Sequence, residues 1–320
     1  MAQSKREIEA LLAEAGSHPR HRFGQNFMID QNLVRVVAEA GMVTPGDCVI
    51  EVGPGTGTLT EELLERAGNV IAVEIDRDLA AMLRNRFTNR ANFRLIEGDA
   101  LASKHAINAE LLVAIQAAAG EAGLSDAAPN RAEDGPALLG KPAITPGSRG
   151  VLAPVSSRPL KLVANLPYNI ASPLIIELLS AGVGLLAFTV QKEVGQRLCA
   201  SAGSDDYGPL TVMAQTLASV EFLRTLPPQA FWPAPSIDSA LVRITRRAMI
   251  PVNAAEFGGF VHSLFGFRRK MLRKALAQTG VDPEKLLQAS GFDGTKRLEE
   301  FSPGQILNLF QTWQAQKIPA

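Results

Sequence analysis

Val49-Ile50-Glu51-Val52-Gly53-Pro54-Gly55-Thr56-Gly57-Thr58-Leu59-Thr60 is the stretch that decides how this chain folds. An apolar run carrying one acid reads as a buried strand, and the Gly/Pro/Thr turn behind it opens directly into the amphipathic segment 59–67. Three glycines within five residues exceed what a plain turn needs. Gly53, Gly55 and Gly57 remove the Cβ atoms that would hold a ligand off the backbone. The first N–H groups of the helix are left facing whatever sits above the strand. The pattern is a strand, a turn and a helix built around a ligand.

Spacing narrows the ligand. A dinucleotide fingerprint requires G-x-G-x-x-G, but counting from Gly53 puts Thr58 at the third glycine position, and counting from Gly55 puts Thr60 there. The next expected strand, 70–75, carries Glu74 near its end, placed to accept two hydrogen bonds from a ribose diol. A further strand, 93–97, leads into Gly98-Asp99-Ala100-Leu101, where Asp99 suits the exocyclic amine of adenine. Two acids with no basic residue in the glycine loop favour a cationic nucleoside over a diphosphate, and S-adenosylmethionine fits best.

With 320 residues, 46% of them hydrophobic, the chain can bury one large domain and a smaller one, and is neither disordered nor fibrous. Cys48 and Cys199 are its only cysteines, which excludes a disulfide framework and zinc spacing, and no metal site is expected. Residues 1–16 lack an apolar signal core and read as a short surface helix. The apolar run 173–190 is interrupted by Glu177, Gly182 and Gly184, so it reads as a helix followed by a buried strand rather than a membrane span. A cytoplasmic monomer is the expectation. Net charge is zero, yet residues 241–320 hold 12 Lys and Arg against 6 Asp and Glu, a surplus of +6 balanced by −6 in the rest. That basic pole is either a nucleic-acid contact or a solvated face.

Residues 21–30, His-Arg-Phe-Gly-Gln-Asn-Phe-Met-Ile-Asp, precede a helical pattern over 31–40. Aromatics interleaved with Arg22, Gln25 and Asn26 suit an arm folding over a cofactor, or a segment tacked to the core through Phe23 and Phe27. A helix over 105–119 is expected, followed by an Ala/Gly/Pro/Ser-rich segment, 120–159, with no hydrophobic period. Order returns with an alternating strand, 160–165, ending in Asn165-Leu166-Pro167-Tyr168-Asn169. There Asn165 Oδ1 and the Leu166 carbonyl could accept both hydrogens of a planar amine while Tyr168 stacks on its base; the alternative is a capped turn with a packing tyrosine.

The ordered set Arg22-Phe23-Gly24-Gln25-Asn26-Phe27, Glu51 to Gly57, Glu74, Gly98-Asp99-Ala100-Leu101 and Asn165 to Asn169 resembles the ribosomal RNA adenine N6-dimethyltransferase family, in particular its bacterial branch acting on 16S rRNA of the small subunit. The resemblance continues through Gln191-Lys192-Glu193-Val194, Tyr207-Gly208-Pro209-Leu210-Thr211-Val212, residues 231–240, Phe267-Arg268-Arg269-Lys270-Met271-Leu272 and Arg297-Leu298-Glu299-Glu300, covering residues 20 to 315. It implies an α/β, Rossmann-like, S-adenosylmethionine-dependent methyltransferase domain with a seven-stranded mixed sheet over residues 21–249, interrupted by an insertion around 103–159. Residues 1–20 form an N-terminal extension, and 250–320 a helical RNA-binding domain.

The implied activity is dimethylation at N6 of two adjacent adenosines near the 3′ end of 16S rRNA in the maturing small ribosomal subunit. Asn26 and Met28 would line the methionine end of the cofactor with Gly53 beneath it, Glu74 would take the ribose and Asp99 the adenine amine, and Gly55 and Ala100 would also bind the cofactor. Asn165 would lie between cofactor and target, with Leu166 accepting from the amine and Phe231 sandwiching the flipped base opposite Tyr168. Arg268, Arg269, Lys270, Arg273 and Lys274, read as lying within two helical turns, would contact RNA phosphate. Met28 stands where the family usually has Leu, and the span from Asp99 to Asn165 is longer than usual. Three other readings stay open: an NAD-dependent oxidoreductase, a 23S rRNA methyltransferase of the macrolide-resistance type, and a non-catalytic small-subunit assembly factor.

Overall fold

A computed structural model describes residues 3–20, 23–124, 160–247 and 253–317. Residues 125–159, which hold nearly all of the Pro- and Gly-rich segment, lie outside that set, as do His21, Arg22 and the expected domain boundary near 250.

Seven strands build the main sheet: β1 (Cys48–Val52), β2 (Asn69–Glu74), β3 (Phe93–Glu97), β4 (Lys161–Asn165), β5 (Leu185–Gln191), β6 (Ala218–Leu226) and β7 (Ser239–Arg246). Their order is β3-β2-β1-β4-β5-β7-β6. Strands β1 to β5 are parallel, and β7 runs antiparallel to both its neighbours. Successive residues of each parallel strand point to opposite faces, and both faces are apolar. Ile50, Ile71, Leu162 and Leu186 enter one core, and Val49, Val70, Val163 and Ala187 the other. This two-sided burial makes the strands read as continuous apolar runs.

Twelve α-helices among the described residues accompany the sheet. The first is α1 (Lys5–Glu14). The second core is covered by α2 (Gln31–Ala40), α3 (Thr58–Leu64) and α4 (Arg77–Arg86), the first by α5 (Ala109–Leu124), α6 (Ala171–Ser180), α7 (Lys192–Cys199) and α8 (Pro209–Leu217). Asp30 starts α2 by accepting from the Asn32 and Leu33 amides, and Asp76 starts α4 by accepting from Asp78. Among the described residues no helix is long and apolar enough to cross a membrane.

Four more helices, α9 (Ala254–Phe265), α10 (Leu272–Leu276), α11 (Pro283–Ser290) and α12 (Pro303–Lys317), enclose a third core of Phe257, Phe260, Leu264, Leu276, Phe310 and Trp313. Tyr207 and Met213 join that core from the sheet domain, and the Tyr207 hydroxyl donates to the Phe301 carbonyl at 2.7 Å. The helices are therefore packed onto α8.

Two local expectations change. The helix read over 105–119 begins at Ala109, because Asn108 caps it and residues Ala106–Ile107 pair with Leu101–Ser103 instead. Residues 268–274 do not form one helix. The chain leaves α9 after Phe265, turns, and diverts to pair with 294–297: Leu272 N–H donates to Lys296 and Arg273 N–H to Gly294. The short surface helix read within residues 1–16 is present as α1, resting on the rest of the chain through Ile8 and Leu12.

Strand β4, read as alternating, is buried at its first residue too: Lys161 is 6% exposed. Its ammonium donates to Asp47 Oδ2 at 2.7 Å and to the Met42 carbonyl at 2.5 Å, while Asp47 also accepts from the Thr44 amide and hydroxyl. A lone charge buried here has no water to solvate it. Asp47→Ala is expected to cost about 3–5 kcal/mol in urea unfolding, and Lys161→Met less, because Asp47 then keeps Thr44. Equal stability of Asp47→Ala and wild type would refute the anchoring role.

Candidate functional site

Parallel strands deliver the loops after β1, β2, β3 and β4 to one edge of the sheet, and the chain's path reverses between β1 and β4, where ligands of such sheets settle. A cleft opens there, lined by residues from all four of these loops. The turn after β1 forms its floor. Gly53, Gly55 and Gly57 have φ of +72°, +61° and +82°. At Gly55 a Cβ would stand 2.8 Å from the Phe27 ring, and at Gly57 2.8 Å from Phe87, so the turn is fixed by close packing as well as by its left-handed backbone.

The arm before α2 closes one side. Phe23, Gly24, Gln25, Asn26, Phe27 and Met28 all line the cleft. The arm is pinned at Asp76, which is 1% exposed and accepts from Arg20 at 2.8 Å and from Gln25 at 3.2 Å. Further on, Phe27 and Met28 pair antiparallel with Trp232 and Phe231.

Three carboxylates line the cleft, from Glu51, Glu74 and Asp99, and no Lys, Arg or His does so among the described residues. Glu74, 3% exposed, accepts the Gly55 amide at 3.1 Å and the Asp76 amide at 2.9 Å. Burial nevertheless pushes its carboxyl up to about 7, against the pull of those two N–H groups. Glu51, 2% exposed, is pushed to about 8, chiefly by burial and further by the charge of Glu74. Its Oε2 has no hydrogen-bond partner among the described residues. Asp99 closes a local turn by accepting the Leu101 amide at 3.0 Å.

Asn165 ends β4 at the cleft wall. Its Nδ2 donates to the Asn26 carbonyl at 2.7 Å, and its Oδ1 accepts from the Thr189 hydroxyl. The Asn26 carbonyl can only accept, so the amide has one allowed orientation and the Thr189 hydroxyl must be the donor. The expectation that Oδ1 stands open to an incoming amine is therefore corrected. One of its lone pairs is already engaged.

Asn26, Met28, Gly53, Gly55, Glu74, Asp99, Ala100 and Asn165 all line the one cleft. Leu166, Tyr168 and Phe231 do not. Leu166 is buried and its amide donates to the Thr189 carbonyl at 3.2 Å. Tyr168 lies between the lining residues Pro167 and Asn169, partly exposed, its hydroxyl 2.7 Å from that of Ser239. Phe231 is 2% exposed and sits in the core beneath α2, because the pairing with Met28 turns alternate side chains inward; Trp232 instead stacks on Phe27. The Phe231 ring expected to face a base opposite Tyr168 is thus buried in the ligand-free protein.

Of the five basic residues, Arg268 is held by Glu299 at 3.2 Å and Arg273 by Glu284 at 2.9 Å. Arg269, Lys270 and Lys274 are exposed and have no ion-pair partner among the described residues. Sequence reasoning misses Glu51 and Thr189 as members of the site. An acid inside Val-Ile-Glu-Val, in a strand buried on both faces, is the available signal for Glu51; Thr189 gives none. No group of three or more His, Cys, Asp or Glu among the described residues is arranged to hold a metal.

The family model for ribosomal RNA adenine dimethylase matches residues 16–315. A ribosomal RNA small subunit methyltransferase A from Moorella thermoacetica is 35% identical, over 95% of this chain and 96% of its own, and one from Magnetococcus marinus is 37% identical over 95% of each. Among solved structures, a dimethyladenosine transferase from Plasmodium falciparum shares the fold with a TM-score of 0.66 and 20% identity, over 91% of this chain and 98% of that one. The 23S rRNA methyltransferase ErmE follows at 0.56 and 24%, over 90% and 100%. By sequence along nearly its whole length, this chain belongs to the ribosomal RNA adenine dimethylase family.

Proposed function

We propose that the chain binds S-adenosylmethionine in the cleft and transfers its methyl groups to N6 of two adjacent adenosines near the 3′ end of 16S rRNA, in the cytoplasm, on the maturing small subunit. One observation carries the cofactor reading: three carboxylates and, among the described residues, no cation line the cleft. A diphosphate would be repelled there, whereas a cationic nucleoside supplies the charge that the unpartnered Glu51 Oε2 lacks. The relatives named for the small subunit favour 16S over 23S rRNA, and the absence of the third glycine argues against a nicotinamide dinucleotide.

S-adenosylmethionine supplies an activated methyl on a good leaving group. The protein's task is placement. Glu74 takes the ribose hydroxyls, Asp99 and Ala100 the adenine, and Asn26, Met28, Gly53 and Gly55 the methionine end, with Glu51 beneath. Asn165, rigidly oriented, presents the remaining lone pair of Oδ1 to the target amine. Tyr168 offers a ring face to the flipped base, alone rather than in a sandwich. Holding the amine in line is worth more than a base, since its proton is lost readily once the nitrogen is alkylated. Arg269, Lys270 and Lys274 meet phosphate.

Asn165→Ala should lower turnover on small-subunit particles about 100-fold while cofactor affinity in calorimetry changes little; near-normal methylation would refute the amine-holding role. The two raised carboxylates fix the pH dependence. Their folded values exceed the ordinary 4.5, so the ligand-free protein holds these protons when folded and loses stability as pH rises from about 4.5 to about 7 and 8, above which the loss is complete. A cationic ligand reverses that trend, so its affinity should rise over the same interval by up to about tenfold per pH unit for each group that ionises on binding. A flat affinity profile would sink the cationic-ligand reading. Neutralising Arg269, Lys270 and Lys274 together should reduce the salt slope of RNA binding by about 0.7 for each phosphate that no longer meets a cation. The same change at Arg268 and Arg273 should matter less, since both already face carboxylates.

A further inference from the structure

The family model matches residues 16–315, so α1 and the residues before it fall outside the matched span. That segment nevertheless touches the floor of the cleft in two places. Gln3, 5% exposed, donates from Nε2 to the Thr56 carbonyl at 3.1 Å and accepts at Oε1 from the Thr56 hydroxyl at 2.6 Å and the Thr58 hydroxyl at 2.9 Å. Thr56 and Thr58 both line the cleft. Five residues on, Ile8 and Leu12 share a small core with Phe27, the ring against which Gly55 is packed.

The glutamine contact does not follow from the need to bury a helix. The apolar face of α1 is satisfied by Ile8 and Leu12 alone. A glutamine amide buried against two hydroxyls and a carbonyl is matched in polarity atom by atom, and removing it takes a partner from each of them. The turn it grips begins α3 without any side-chain cap, because the position before that helix is Gly57. Gln3 supplies from a distance the order that a local cap would give, helped by Arg86, which donates to the same Thr56 carbonyl at 2.7 Å.

We infer that Gln3 is a positioning residue for the cofactor loop: the N-terminal segment is a latch that holds residues 55–58 in their binding conformation before any ligand arrives. The consequence for the ligand rests on the cofactor reading above; the latch itself does not. A preformed loop does not have to be ordered at the moment of binding, so the latch contributes affinity without touching the ligand.

The experiment uses the full-length chain with Gln3→Ala, Gln3→Met and Gln3→Glu. Hydrogen exchange at the amides of residues 55–60 in the ligand-free protein reads the latch directly. All three variants should exchange faster there than wild type, with exchange in β2 and β3 unchanged. Titration with S-adenosylmethionine should show a dissociation constant and a KM raised about tenfold, with kcat at saturating cofactor within about twofold. Gln3→Met matches the volume without the hydrogen bonds and should resemble Gln3→Ala. Gln3→Glu sets an oxygen against the Thr56 carbonyl and should be no better. Wild-type exchange at 55–60 in Gln3→Ala would overturn the latch, and so would Gln3→Met behaving as wild type, since packing alone would then suffice. A wild-type chain that fails to bind S-adenosylmethionine overturns the cofactor reading instead, and the exchange comparison still decides the latch.

Discussion

The close approach of one backbone turn to its surroundings governs the site. Between Gly53 and Gly57 the chain runs with φ of +72°, +61° and +82° at alternate positions, with the Phe27 ring and Phe87 packed into the space where two side chains would begin. No other residue type permits both the conformation and the contact. Because Phe27 occupies that space, the arm carrying it is drawn over the cleft. Because the arm's backbone then pairs with residues Phe231–Trp232, the loop before β7 is drawn in as well. Two segments far apart in sequence are thus drawn to the glycine turn through the space left by one missing Cβ, that of Gly55.

The electrostatics follow from the same packing. The chain is neutral as a whole, but the cleft gathers carboxylates of which two are too buried to ionise easily. Glu74 is kept from a still higher value by the amides of Gly55 and Asp76, so the glycine turn also tunes the acid beside it. Glu51 receives less: the Thr60 hydroxyl offsets part of its rise, while its Oε2 has no hydrogen-bond partner among the described residues. A ligand without positive charge would leave that carboxyl group either protonated or unpaired, which makes charge, rather than shape, the first filter on what binds.

The sheet is legible because strands buried on both faces read as apolar runs, and the cleft residues are legible because turns after parallel strands share one edge. What escapes the sequence are matters of direction and distance. Phe231 has the composition of a stacking residue, but a two-residue ribbon turns it into the core. The run from Arg268 to Lys274 has helical composition, but backbone pairing with 294–297 breaks it and leaves two of its five cations against carboxylates. Gln3 reads as part of a surface helix, since nothing in its neighbours marks a partner 53 positions away.

The orientation of Asn165 bears on how two methyl groups can be added to one nitrogen. With Nδ2 committed to the Asn26 carbonyl and Oδ1 receiving the Thr189 hydroxyl, one lone pair of Oδ1 remains, the position that the proposed reading gives to the target amine. An unmethylated amine has two hydrogens and a monomethylated one has a single hydrogen, so a single acceptor position at Asn165 serves both substrates equally. A wall offering two side-chain acceptors would bind the first substrate better than the second and slow the second transfer. In the proposed reading, Thr189 makes the site indifferent to the first methyl by occupying one lone pair of Asn165, and the second transfer then differs from the first only in the space beside the nitrogen.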